Sequence, residues 1–339
     1  MPLSRFLRTT WILNASASLD LAEDGVAIRR ISEVESDDMT AMARKRNVFA
    51  RHSWENNFYI ERIGQLRGTT VLEVFLPGSI DEVLEEARTR AEYLERVALV
   101  SAIFAVQRQR MLQMLGIGAH RQSGFDLAIS PGFEFLRSTA RPESRARGVP
   151  VDTAFERRFV RDGFLELLRA GYASTGLRDR LKLSVRWLSE SRQETELTAA
   201  IVKSAIALES LLIANEVENL RGPLAERTAF LLSDDSAMRE RIAKVIRKFY
   251  DIRSSIVHGG RRRPIAVPVQ ILEGVERLTA LVAVTLAANR LQSPTFDAVV
   301  EVVNKRKWGD KLPIIRRPFR SSALSWALKL SEGRARGSA

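Results

Sequence analysis

The spacing of apolar positions changes character near residue 150. Before it, short runs rich in β-branched and aromatic residues predict strands at Trp11–Ala17, Val26–Ile31, Asn57–Ile63 and Thr69–Leu76. Gly68 and the Pro77-Gly78 pair punctuate them. Ser79 followed by Glu82 three residues on forms a capping-box pattern, and Gly116 closes the helix it opens. A helix over residues 80–115 would reach about 54 Å, long enough that a break is expected. Phe125–Ser130 and Phe133–Leu136 predict a hairpin about Pro131-Gly132, and residues 138–150, rich in Arg, Pro, Ser and Gly, read as a linker. From Val151 onward the period is helical, with segments near 152–171, 177–190, 195–217, 222–232, 236–258, 268–291 and 294–306. The expected architecture is an α+β N-terminal domain (1–150, a candidate sensor or regulatory region) followed by an all-α helical domain (151–310). A basic C-terminal tail (311–339) with one short helix completes it.

A chain of 339 residues suffices for two domains. The absence of cysteine excludes disulfides, thiolate metal sites and cysteine nucleophiles. His52, His120 and His258 lie far apart in sequence, so no His-rich metal site is expected. No Walker A loop, H-E-x-x-H or G-x-S-x-G occurs; Gly116 and Gly118 begin a G-x-G pattern, but Arg121 occupies the third glycine position. No cofactor is expected. The longest uncharged stretches, Val97–Gln107 and Leu278–Asn289, fall short of the ~20 residues of a membrane span. The apolar run Trp11–Leu13 is too short for a signal-peptide core. The expectation is a soluble cytoplasmic protein.

The net charge of +12 points to a polyanionic partner, and its distribution sharpens the point. Residues 1–150, 151–240 and 241–339 carry +1, −2 and +13, and residues 241–263 alone carry +7. That basic stretch surrounds the segment richest in candidate chemistry, Tyr250-Asp251-Ile252-Arg253-Ser254-Ser255-Ile256-Val257-His258-Gly259. Met238, Ile242, Val245, Phe249, Ile252 and Ile256 alternate steps of four and three, which gives the helix one packing face. Gly259 and Gly260 terminate it directly after His258. A histidine can take the proton of a ribose 2′-hydroxyl, and an arginine can stabilise the charge that develops on the attacked phosphate. The two are five residues apart, about 7.5 Å along the axis and rotated by roughly 140°, so one helix does not bring them onto one face. Two copies meeting about a two-fold axis would place two Arg253 and two His258 side chains in one cleft.

The run Arg253-Ser254-Ser255-Ile256-Val257-His258-Gly259 resembles the Arg-x4–6-His signature of the HEPN superfamily. With the upstream Ala207-Leu208-Glu209-Ser210-Leu211-Leu212, it resembles the Apea-like HEPN branch known from prokaryotic anti-phage defence. The likeness covers residues 195–263 well and 151–310 loosely. It implies a metal-independent endoribonuclease with Arg253 and His258 as the catalytic pair and Ser254 at the polar position after the arginine. It further implies a homodimer or higher homo-oligomer, and RNA (tRNA being one candidate) as substrate. The products are 2′,3′-cyclic phosphate and 5′-hydroxyl ends, and a phage-derived signal is the trigger. Some relatives carry a tyrosine two residues after the histidine, where this chain has Gly260. Arg46 and His52 match the bare spacing too, but lack the helical setting.

Glu209 lies on a stripe with Val202, Ile206 and Ile213, and Arg253 on a comparable row with Ile246, Tyr250 and Val257. A carboxylate on an apolar stripe is costly unless paired. Glu209 therefore either faces Arg253 and orients it, or lies at the stripe's edge in solvent. Tyr250 and Asp251 are supporting candidates that could equally pack or pair locally. Arg261, Arg262 and Arg263, with Lys244, Arg247 and Lys248 on the helix itself, are candidate RNA-phosphate contacts or a solvated basic face. The alternative to a nuclease is a non-catalytic HEPN module that dimerises or binds RNA or a nucleotide.

Overall fold

The computed structural model describes residues 3–10, 12–45, 53–108, 112, 121–130, 136–144, 148–173, 176–213, 219–258, 268–290, 295–307 and 315–332. The fold class is the one expected: an α+β N-terminal region followed by an all-helical one. Two compact units divide the chain. The first comprises Met1–Glu95 and Gln113–Arg157, and the second Arg96–Leu112 and Arg158–Ala339.

The first unit is built on strands β1 (Leu3–Thr9), β3 (Leu19–Leu21), β4 (Val26–Arg30), β5 (Thr70–Pro77), β6 (Arg121–Ile129) and β7 (Leu136–Ser144), in the order β3-β4-β5-β1-β6-β7 with antiparallel neighbours. A separate parallel pair joins β2 (Leu13–Ala15) to β8 (Val149–Val151). Thus residues 138–150, read above as a linker, carry most of β7 and end in β8. Backbone pairing with β6 outweighs their loop-like composition. Helices α1 (Glu33–Lys45) and α2 (Ser53–Gln65) cover one sheet face. There Leu7, Val71, Phe125, Leu127 and Ile129 meet Met39, Ala43, Ile63 and Leu66. The strand expected at Asn57–Ile63 is therefore helix α2. Its β-branched and aromatic composition misled, whereas Tyr59, Ile63 and Leu66 follow helical spacing and pack on this core. Helix α3 (Ile80–Ser101) starts at the anticipated cap, with Glu82 Oε2 accepting from the Ser79 amide (2.9 Å) and hydroxyl (2.8 Å). The expected break follows, as a short 3₁₀ turn at Ala102–Phe104.

β1 was not anticipated because arginines interrupt its alternation. Arg5 pairs with Glu73 and with Glu35 of α1, both at 2.5 Å, and Arg8 forms a fork with Asp126 at 2.9 and 3.1 Å. Arg29 of β4 joins Glu35 and Glu73 in the same network. Hydrogen bonds from Arg29, outweighing the opposing effect of partial burial, hold the Glu35 carboxyl down to about 2 from an ordinary 4.5. A depressed carboxyl stabilises the fold above its unfolded value and ceases to do so as pH falls through the folded value. This contribution is thus fully present above 4.5 and disappears toward about 2. Glu35→Gln is expected to flatten the dependence of the denaturation midpoint on pH across that window. An unchanged acid limb would remove Glu35 from the account.

The second unit contains α4 (Thr153–Arg161, whose first turns belong to the first unit), α5 (Phe164–Tyr172), α6 (Arg178–Gln193), α7 (Leu197–Leu212), α8 (Arg221–Leu232), α9 (Ser236–His258), α10 (Val269–Ala288), α11 (Phe296–Lys307) and α12 (Ser321–Ser331). The single helix expected over 152–171 is split at Gly163, whose φ of +87° is left-handed and stops α4. Helix α10 is the buried centre: residues 271–287 all lie inside, as expected of a helix apolar nearly all round. The short helix expected in the basic tail is α12. It packs against α10 so closely that a Cβ at Gly274 would overlap Ser331 and lie 2.8 Å from the Ala327 carbonyl oxygen. Arg316 and Arg317, counted above as tail charge, pair with Glu166 and Asp234.

Buried in this unit is a charge cluster. Glu276 accepts from Arg108 Nη1 (2.7 Å), Arg192 Nη1 (2.9 Å) and the Ser191 hydroxyl (2.8 Å). Glu273 Oε1 accepts from the Arg108 amide at 2.5 Å, and its other carboxylate oxygen lies 3.7 Å from Arg277 Nη1. Arg277 stacks beneath Trp326 of α12, 4.0 Å from the ring centroid. Burial lowers the pKa of Arg277 to about 10.

Candidate functional site

Helix α9 runs from Ser236 to His258, the boundary expected from the sequence. Ile242, Val245, Ile246 and Phe249 are buried and fix the helix in the bundle. Toward its end the burial fades: Ile252, Arg253 and Ile256 are half-buried, while Ser254, Val257 and His258 are exposed. The helix end thus combines a side chain held against the bundle with others open to solvent.

Arg253 is the held one. Its Nη2 lies 3.6 Å from Glu209 Oε1 on α7, and the same oxygen accepts the Tyr250 hydroxyl at 2.6 Å. The first of the two readings of Glu209 therefore fits the geometry: the carboxylate faces Arg253. Tyr250 is 5% exposed, and burial, followed by the nearby Glu209 carboxylate, pushes its pKa far up, so the phenol remains a hydrogen-bond donor. The Arg253 Nε is buried and has no hydrogen-bond partner among the described residues. Tyr250, Glu209 and Arg253 form a chain in which a buried phenol positions a carboxylate and the carboxylate positions a guanidinium.

His258 stands apart from that chain. It is exposed in the last turn of α9, and at roughly 100° per residue it lies about 140° around the helix from Arg253. One chain does not gather the two onto one helix face. Ser254 is exposed next to Arg253. Asp251 is engaged elsewhere, in a forked pair with Arg221 of α8: Nε to Oδ1 at 2.8 Å and Nη2 to Oδ2 at 2.8 Å. This pairing carries no signal in the sequence, since 30 residues separate the partners. Lys244, Arg247 and Lys248 are exposed on α9. Arg261, Arg262 and Arg263 lie outside the described residues, as do Gly259, Gly260, His52 and His120.

Among the described residues, no three His, Asp or Glu side chains converge as a ligand set, and no helix is long and apolar enough to cross a membrane. A scan against protein-family models, a search of curated proteins and a search of solved structures each find no match.

Proposed function

We propose that the chain is a metal-independent endoribonuclease of HEPN type, acting as a homodimer in anti-phage defence. The observation that carries the reading is the end of α9. There an arginine positioned by Glu209 and Tyr250 and an exposed histidine mark the helix end, and exposed cations occupy its preceding turns. In this chemistry the imidazole of one His258 takes the 2′-hydroxyl proton, and the 2′-oxygen bonds to the adjacent phosphorus. The bond to the 5′-oxygen breaks, and a second histidine in its protonated form supplies the leaving group's proton. Arg253 donates to the phosphate oxygens that gain charge. The products are a 2′,3′-cyclic phosphate and a 5′-hydroxyl, with tRNA one candidate substrate and a phage-derived signal the candidate trigger.

The roughly 140° between Arg253 and His258 also favours a second reading, a non-catalytic module that dimerises or binds RNA or a nucleotide. Incubating the full chain with total RNA in EDTA separates the two. The expected result is cleavage that persists under chelation and leaves cyclic phosphate ends. Cleavage that stops with EDTA and returns with magnesium would overturn the chemistry. RNA bound but left intact, including by protein freed from its trigger dependence, would select the module.

A further inference from the structure

The solvent face of α9 holds more than the candidate pair uses. At roughly 100° per residue, Lys244, Arg247, Lys248, Asp251, Ser254 and His258 fall within an arc of about 120°. All six are exposed, and Arg253 lies on the other side of the helix. Elsewhere in the helical unit several cations are neutralised: the largely buried Arg306 and Arg317 by Asp234, Lys307 by Glu226, and Arg241 by Glu332. Lys244, Arg247 and Lys248 have no ionic partner among the described residues. Glu240, one turn before Lys244 on the same face, closes the stripe at that end. Asp251 is the one acid inside it, and a bare carboxylate there would repel a polyanion. Arg221 cancels it through the Nε–Nη2 edge of its guanidinium, at 2.8 Å for each contact. Among the described residues the remaining donors of that guanidinium are uncommitted, on a side chain 50% exposed.

We propose that Arg221, oriented by Asp251, is a phosphate-contacting residue that completes a single-strand track along α9 leading to His258. The inference rests on the ribonuclease reading and names where its substrate runs. From Lys244 to His258 the helix rises about 21 Å, the length of about six stacked nucleotides at ~3.4 Å each. A convex helix face with cations in successive turns suits the backbone of one flexible strand, and contacts of this kind position a strand without reading its bases.

The test is anisotropy of a labelled 2′-O-methyl RNA 12-mer, which lacks the nucleophile and cannot be cut, titrated with the full chain over ~50 to ~200 mM salt. Each lost phosphate contact lowers the slope of log K against log salt by about 0.7 for a single strand. Arg221→Gln is expected to weaken binding with a slope shallower by about 0.7, and Arg221→Lys to keep the slope. Joint replacement of Lys244, Arg247 and Lys248 by Gln should lower it by about 2. An unchanged slope in Arg221→Gln overturns the proposal. So does equal displacement of the RNA by polyglutamate of matching charge, which would assign the stripe to acidic proteins. Cleavage of unmodified RNA is scored separately. If cutting is intact and the Arg221→Gln slope is unchanged, the track fails and the nuclease stands. If the slope changes as expected but no RNA is cut, the nuclease fails and the track stands.

Discussion

His258→Ala should reduce RNA cleavage by about 10²- to 10⁴-fold, the range a positioned acid or base contributes. The helix content and denaturation midpoint should stay unchanged, because the side chain is exposed in the last turn of α9 and supports no packing. Arg253→Ala should lose comparable activity, but its structural effect differs. It removes the guanidinium facing Glu209 and leaves that carboxylate with Tyr250. The pair of variants therefore separates chemistry from positioning. The sharper version uses mixed dimers. The reaction needs a base and an acid at once, and one His258 cannot be both. In a shared cleft, a dimer with one His258→Ala subunit should fall far below half of wild-type activity. A mixed dimer retaining half would show that each subunit cuts independently and would sink the shared site.

The helical part of this fold was legible in the sequence because its faces are periodic. The boundaries of α9 followed from the apolar row ending at Ile256 and the glycine pair after His258. Glu209 facing Arg253 was one of two readings, since a carboxylate on an apolar stripe indicates either a partner or an edge, and the structure supplies the partner. The N-terminal region was harder. β1 hides behind Arg5 and Arg8, whose charges are compensated by Glu73, Glu35 and Asp126 from distant segments. α2 hides behind strand-like composition, because tertiary packing of Tyr59, Ile63 and Leu66 overrides β propensity. Arg221 could not have been assigned to Asp251 by any local rule, because two helices had to be docked first. A trace of the buried cluster was present, though. Glu273, Glu276 and Arg277 are the charges in a helix of 20 residues that is otherwise uncharged and mostly apolar, and charges in such a place demand buried partners. What the sequence withheld was the identity of one partner, Arg108, 168 residues before Glu276.

The cluster that this partner completes should carry a large stability effect. Glu276 is fully buried and accepts three hydrogen bonds, from Arg108, Arg192 and Ser191, while Arg108, Arg192 and Arg277 are each at most 1% exposed. With Glu273, the cluster has three cations and two anions. Glu276→Leu would leave three buried guanidinium groups against one carboxylate. Breaking a buried pair from one side costs about 3–5 kcal/mol, a large part of the ~5–15 kcal/mol that holds a typical domain together. The urea midpoint of the helical unit should drop accordingly. Arg108→Met is also expected to destabilise, since Glu276 Oε1 and the carbonyls of Ser191 and Glu194 each lose the donor that the guanidinium supplies. The double variant Arg108→Met/Glu276→Leu removes one charge of each sign and restores the original excess of one cation. It should cost less than the sum of the two single changes, with a coupling energy of about 1–3 kcal/mol in a double-mutant cycle. A strictly additive cycle, or a loss below about 1 kcal/mol for Glu276→Leu, which is the effect of an ordinary substitution, would show that the cluster does not hold the unit together. If the cycle couples, a chain beginning at residue 151 lacks a core side chain of its own helical unit and should be less stable than the same unit within the full protein.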